Sequence, residues 1–552
     1  MIPVFCGENV TQKVFPNFYI RRTMEGVKTR RSASTKNRKS SLMREEEDEK
    51  TNFGGRDSPT SLLTPPRAMR SSSSFDSDDG DDAGGEHIDN TKKKKKNNNN
   101  SEKEKTKNNN SNKKMEPAQV AKTFERQWVK IGDLEYDITD MKHPGGSVIY
   151  YMLSNVGADA TEAFREFHYR SKKAEKMLKL LPQRKYEAKN HSKDNNSNYQ
   201  PIDTSDSAML KDFASFRLGL EKEGYFTPSP GHVAYRIVEL VFMFALATYL
   251  MAKGYTKLSV ITYGAFFGAR CGWVQHEGGH NSLTGNIWID KRIQACLMGF
   301  GLGTSGDMWN VMHNKHHATP QKIRHDMDLD TTPAVAFFDT AVEENRDRGF
   351  SRLWSRFQAW TFVPITSGVF VMAFWLYVLH PSKVFKKKNW EEAFWMLSSH
   401  VVRASLIQLV HPGDVSFARA YGLYALSQWI AGMYLFAHFS TSHTHTKVVE
   451  FKDHPSWVRY AVEHTVDISP DRAYVNWLMG YLNCQVIHHL FPDMPQFRQP
   501  EVSKKFEQFA RKWGLEYTVM TYGEAWRATF KNLNDVGKHY YEEGAKKAKK
   551  VK

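Results

Sequence analysis

Residues 357–379 run without a single charged side chain. A helix needs about 20 predominantly apolar residues to cross a bilayer, so this stretch predicts a membrane-spanning helix. Three further stretches fit the same reading. Residues 233–251 carry Arg236 and Glu239 near one end, and 255–275 carry Lys257 and Arg270 near the two ends. Side chains so placed can reach the headgroups. Residues 420–439 are uncharged. By contrast, 293–304 is short and glycine-rich and 393–410 contains His400 and Arg403, so both read as interfacial or buried helices. The mean hydropathy of −0.58 hides these spans because the rest of the chain is strongly polar.

That polar remainder divides into segments. Residues 1–116 hold Ser-, Asp- and Lys-rich runs, with too few apolar residues to offset the entropy of ordering, and predict a disordered tail. The chain is basic, 77 Lys+Arg against 61 Asp+Glu for a net charge of +16. Acidic runs at 45–49 and 76–82 interrupt the basic tail, which argues for a solvated segment and no nucleic-acid partner. A small folded unit follows over 117–190, where Trp128, Val129, Ile131, Leu134, Tyr136 and Ile138 supply a core. Residues 191–229 read as a linker, 230–535 as the membrane domain and 536–552 as a basic tail. The four cysteines, at 6, 271, 296 and 484, form no CxxC pair. They predict neither a disulfide framework nor a thiolate metal site.

The chemistry therefore falls to histidine. Three clusters stand between or just beyond the apolar stretches: His276 with His280, then His313 with His316 and His317, then Gln485 with His488 and His489. Residues three and four apart share one helix face, so each cluster can aim its imidazoles at one point. Neutral imidazole suits iron, zinc, copper or nickel. Seven converging imidazoles exceed what one four-coordinate zinc ion takes, which predicts a two-metal centre. Separately, His143-Pro144-Gly145-Gly146 allows a sharp turn close to a flat cofactor, with His168 standing 25 positions later. Two histidine axial ligands leave a haem iron no open position, which suits electron transfer.

The boxes HxxxH, HxxHH and QxxHH, in this order between apolar stretches, resemble those of membrane fatty acyl desaturases. The Gln485 form resembles the front-end subgroup, and the HPGG loop with His168 resembles a cytochrome b5 domain. The resemblance covers residues 117 to about 535. It implies an α-helical polytopic membrane protein with about four transmembrane helices and a fused α+β haem domain. It also implies an oxidoreductase that uses O2 and electrons from cytochrome b5 reductase to place a cis double bond between an existing double bond and the carboxyl end of a polyunsaturated acyl chain. The implied cofactors are haem b, held by His143 and His168, and two iron ions, held by His276, His280, His313, His316, His317, His488 and His489. A further ligand comes from the segment after the fourth apolar stretch, with His443 expected ahead of His438 and His445. Gln485 stands where related acyl desaturases have histidine, and its role stays open between weak ligand, support of a ligand and substrate contact. Asp326, Asp328 and Asp330 read as a solvated loop or as support for the metal ligands.

The acyl carrier, coenzyme A or phospholipid, is left open, and delta-6 is expected ahead of delta-5, delta-8 or delta-4. The alternatives are a sphingolipid long-chain-base desaturase or hydroxylase, and a membrane haem or metal-binding protein without turnover. Membrane lipid is an expected partner. Lys549-Lys550-Val551-Lys552 resembles a retrieval signal of endoplasmic reticulum membrane proteins, with both termini and the boxes cytosolic. One metal centre requires every box on the same membrane face. Hairpins of 233–251 with 255–275 and of 357–379 with 420–439 meet that condition, but they place Lys386 to Lys388 on the far face, against the positive-inside tendency. Crossing by 393–410 in place of 357–379 would remove that conflict.

Overall fold

The computed structural model describes residues 126–191, 199–326, 328, 331, 334–339 and 349–550. The tail expected over 1–116, Asp330, and Val551 with Lys552 of the C-terminal signal lie outside the described residues.

A three-stranded antiparallel sheet opens the described chain. Strands β1 (Trp128–Ile131) and β2 (Leu134–Asp137) form a hairpin whose turn needs Gly132 at φ 64°, and β3 (Gln183–Lys185) pairs with β2. Alternation along β1 puts Val129 into a small core with Ile138, Leu153 and Ala160. The HPGG loop leads into a 3₁₀ stretch, Gly146–Met152, and helix α1 (Thr161–His168) ends on the second haem-ligand candidate.

The linker expected over 191–229 is largely structured. Helix α2 (Ser207–Lys222) buries Met209, Phe213 and Leu220 in one apolar cluster with Val486, Leu490 and Phe506. Its polar face concealed this, because the apolar residues are spaced along one stripe that composition alone averages away.

The membrane domain is a helical bundle. Helix α3 (Pro230–Ala252) starts on Ser229, whose side chain accepts from the His232 amide, with Pro230 in the first turn. Helix α4 (256–279) follows, with a π-helical segment at Thr262–Gly268. Helix α5 (287–302) and helix α6 (Gly306–Ala318) come next, then α7 (Gln358–Lys387), α8 (Trp390–Val410) and α9 (Phe417–Ser440). Small residues let α4 and α9 touch: a Cβ on Gly264 would lie 2.5 Å from the Ser427 carbonyl, and one on Gly272 2.8 Å from Leu435. The short helix α10 (Gln485–Leu490) carries the third box. Helix α11 (Tyr522–Lys550) absorbs most of the tail expected over 536–552, burying Val536 and Tyr540 against Ala336.

Among the described residues, three helices are long and apolar enough to cross a bilayer: α3, α7 and α8. By length and composition α7 covers the stretch expected to span, and α8, expected to be interfacial or buried, qualifies as well; the two run differently through the bundle. Helix α8 starts where the Glu392 carboxylate accepts from the Ser305 hydroxyl and the Asp307 amide, at the head of α6. It ends beside the loop joining α3 to α4, where His411 meets Thr256 and Pro412 packs on Gly254. Helix α4 spans about 36 Å from that loop to the first box, so α8 passes through the full thickness of the bundle. Helix α7 does not. Gln358 at its start donates to the Ala336 and Leu533 carbonyls, near where Asn532 reaches Thr444, and Lys387 at its end pairs with Asp307. Both ends lie on the side of the histidine boxes. Hydropathy could not separate the two, since a helix lying across an apolar bundle is as apolar as one that traverses it.

Candidate functional site

The first box closes α4, the second lies in the last turns of α6, and the third is on α10. Close approach of the first two depends on Gly279, where a Cβ would lie 2.5 Å from the Trp309 ring. The boxes converge in two adjacent groups. His276, His280, His313, His317 and His488 bring one ligand atom each within 4.8 Å of one another, and His316, His443 and His489 do the same. All eight are buried. The expected seven therefore come together, and His443 joins them. His438 is engaged elsewhere, by the Tyr434 carbonyl and the Tyr522 hydroxyl, and His445 belongs to neither group.

The chemistry of this nest fits metal. Nε2 of His276, His280 and His488 and both ring nitrogens of His489 are buried without a hydrogen-bond partner, a cost that a bound cation removes. Burial first, and neighbouring imidazoles second, push His313, His317, His488 and His489 well below the ordinary histidine range. That shift favours the neutral imidazole, the form that can bind a metal. For His316 burial also acts downward, but the Asp326 carboxylate outweighs it and lifts the imidazole to about 8. Asp326 is fully buried, lies 2.9 Å from Nδ1 of His316, and accepts from the Gln321 and Asp328 amides. Of the two readings of this carboxylate, support of a ligand is the one its position matches.

Gln485 also lies in the nest. Its amide nitrogen is 2.8 Å from Nε2 of His443, and its Oε1 is buried and unpartnered. Turned end for end, the amide would set two acceptors face to face, an arrangement that a cation between them stabilises. Two residues that no sequence motif singles out stand behind the other group: the Gln496 amide is 2.7 Å from Nδ1 of His276, and the Gln499 amide 3.5 Å from Nδ1 of His488. Their only sequence signal is position, in the turn and helix that follow the third box.

The haem-ligand pair fits its cofactor. The His143 and His168 ring centroids are 6.1 Å apart, a gap that two metal–imidazole bonds of about 2 Å each plus the two ring half-widths would fill. Nδ1 of His168 lies 2.9 Å from the Phe164 carbonyl, to which it can donate, leaving Nε2 for iron. A Cβ on Gly145 would come within 2.9 Å of the His143 ring, so a larger residue there would displace the ring. Burial, then the neighbouring His168, lowers His143 to about 4.

A cavity of about 810 Å³ adjoins the nest. His316 and His443 are among its lining residues, and its walls are mostly apolar, drawn from α6 (Trp309, Met312), α7 (Phe362, Val371, Trp375) and α9 (Leu435, Phe439).

Two family models match the chain, "Fatty acid desaturase" over residues 256–521 and "Cytochrome b5-like Heme/Steroid binding domain" over 114–186. An acyl-lipid (8-3)-desaturase of Rebecca salina is 41% identical over 416 residues, 75% of this chain and 92% of the relative. An acyl-lipid (8-3)-desaturase of a Thraustochytrium species is 40% identical over 420 residues, 75% of this chain and 93% of the relative. A delta(6)-fatty-acid desaturase of Caenorhabditis elegans is 24% identical over 429 residues, 73% of this chain and 94% of the relative.

Proposed function

This chain belongs to the fatty acid desaturase family and carries a cytochrome b5-like domain, and from that premise we propose that it inserts a cis double bond into a polyunsaturated acyl chain on the carboxyl side of an existing one. It is an oxidoreductase acting on acyl lipids, of the front-end class. The observation that carries the finer reading is the cavity reaching His316 and His443. Its volume lies within the range of small-molecule sites, about 300–1,000 Å³, and its apolar walls would hold an acyl chain by burial alone.

Eight imidazoles with Gln485 would hold two iron ions, and His143 with His168 a haem b. An unactivated methylene has no acidic proton to remove, so the iron pair would supply the O2-dependent hydrogen abstraction that side chains cannot. The protein's own contribution is orientation and dryness. Asp326 fixes the His316 ring, and Trp309, Phe439 and Leu435, which line the cavity, would shield the nest from water. Electrons would come through the haem domain from an external reductase.

For regiochemistry, the two relatives that share about two-fifths of their residues with this chain favour the (8-3) outcome over the delta-6 expectation, whose relative shares 24%. Their names favour a lipid-linked acyl group as substrate. Placement in the endoplasmic reticulum membrane with the boxes cytosolic is supported by α8 as a crossing helix, because Lys386 to Lys388 then share the face of the boxes and the positive-inside conflict disappears.

The test is expression in a host that lacks polyunsaturated acids, fed a panel of them, with double-bond positions located in fatty acid methyl esters and in long-chain bases. A new bond on the carboxyl side of an existing one is expected. New bonds confined to long-chain bases, added hydroxyls, or no oxygen-dependent product would replace this reading with one of the alternatives.

A further inference from the structure

The haem domain is built into the desaturase body. Glu166 on α1, with no exposed surface, accepts from Nε of buried Arg217 on α2 at 2.6 Å. Arg170, just past α1, donates to the carbonyls of Phe226 and Asp493. Ala163 belongs to the same apolar cluster as Trp457, Val486 and Leu490, and Phe167 packs against it. A domain swinging on a tether would leave such groups in water, so these contacts describe a docked state.

Within that seam one side chain has an unusual position. Phe167 is covalently next to the haem-ligand candidate His168, and its ring meets His317 of the nest edge to face, with centroids 6.4 Å apart at 80°. On its other side it meets Trp457 at 5.8 Å and 82°. Both are favoured aromatic geometries. One backbone step and one ring contact therefore join a haem ligand to a member of the five-histidine group. A second seam is longer: Tyr151 lies on His325 with centroids 3.5 Å apart, and His325 precedes Asp326, which holds His316.

We infer that Phe167 is a positioning residue that couples the haem domain to the histidine nest, so that electrons cross in the docked state without domain motion. The inference rests on the reading that haem and iron occupy the two sites. Each crossing oxidises one ferrous haem to ferric and reduces one ferric ion to ferrous. No bond forms or breaks, and an external reduced flavoprotein restores the haem.

The test uses the full chain carrying haem and iron, with the haem reduced, mixed with oxygen and acyl substrate while haem reoxidation is followed by absorbance. Amide hydrogen exchange of α1 is measured in parallel on iron-free protein. In Phe167→Leu, which keeps the apolar bulk, the haem spectrum, iron content and slow α1 exchange should persist. Reoxidation should slow on the order of tenfold, while Phe167→Tyr stays near wild type. Tyr151→Leu should leave the rate unchanged. Wild-type reoxidation in Phe167→Leu, a larger slowing in Tyr151→Leu, or unprotected α1 amides in the wild type would overturn the inference. Should Phe167→Leu lose haem, Phe167→Met replaces it under the same criteria. Wild-type protein devoid of haem or iron would overturn the underlying reading instead.

Discussion

The two halves of the histidine nest face opposite neighbours. The half formed by His276, His280, His313, His317 and His488 turns to the haem domain, where Phe167 meets His317, and is backed by the neutral amides of Gln496 and Gln499. The half formed by His316, His443 and His489 turns to the apolar cavity, includes Gln485 at its edge, and is backed by the carboxylate of Asp326. A carboxylate behind an imidazole makes it a stronger base, so the half with fewer nitrogen donors has the stronger support. On the proposed function, the difference would amount to a division of labour: a histidine-rich side toward the electron source, and a more open side toward the substrate.

The largest expected effect tests whether the half facing the haem domain is needed. Replacing any one of His276, His280, His313, His317 or His488 by Ala should bring product below detection while the haem spectrum stays intact, as read by lipid profiling and absorbance. Full activity in one of these variants would remove that residue from its half.

Next, Gln485→Leu should lower iron from two ions per chain to one, measured on purified protein, because the cavity-facing half has only three imidazoles to fall back on. Two ions retained would remove Gln485 from the ligands and leave it as support of His443 or a substrate contact. A smaller effect is expected for Asp326→Asn, about 10–100-fold in metal affinity of that half. Gln496→Leu should cost less, since it removes a neutral partner. If the two titrate alike against a chelator, the contrast in backing has no consequence. Smallest of all, His445→Ala should leave iron content and product unchanged where His443→Ala loses the second ion. Iron loss in His445→Ala would redraw the cavity-facing half.

Much of the nest and of the haem site is legible in the amino-acid sequence. The boxes can be read because histidines three and four apart share a helix face, and the haem loop because proline, two glycines and a second histidine leave few other uses. His443 separates from His438 and His445 only in the folded chain, where Tyr434 and Tyr522 occupy both nitrogens of His438. The roles of Asp326 and Gln496 depend on a loop and a turn returning to boxes that lie 10 and 220 residues away in sequence, which no local pattern encodes. The different courses of α7 and α8 through the bundle are hidden for a different reason. Apolarity reports what a helix avoids and says nothing of the direction in which it runs.

That crosswise helix has a consequence for how such enzymes diverge. Phe362, Thr366, Ser367, Val371, Trp375 and Leu379 of α7 all line the cavity proposed to hold the acyl chain, while α7 contributes none of the eight clustered imidazoles. After gene duplication, one copy can accumulate changes in this single helix and come to favour a longer, shorter or differently kinked chain while its oxidising machinery is inherited untouched. Sister enzymes acting at different carbons should then differ most along this stretch and least in the boxes.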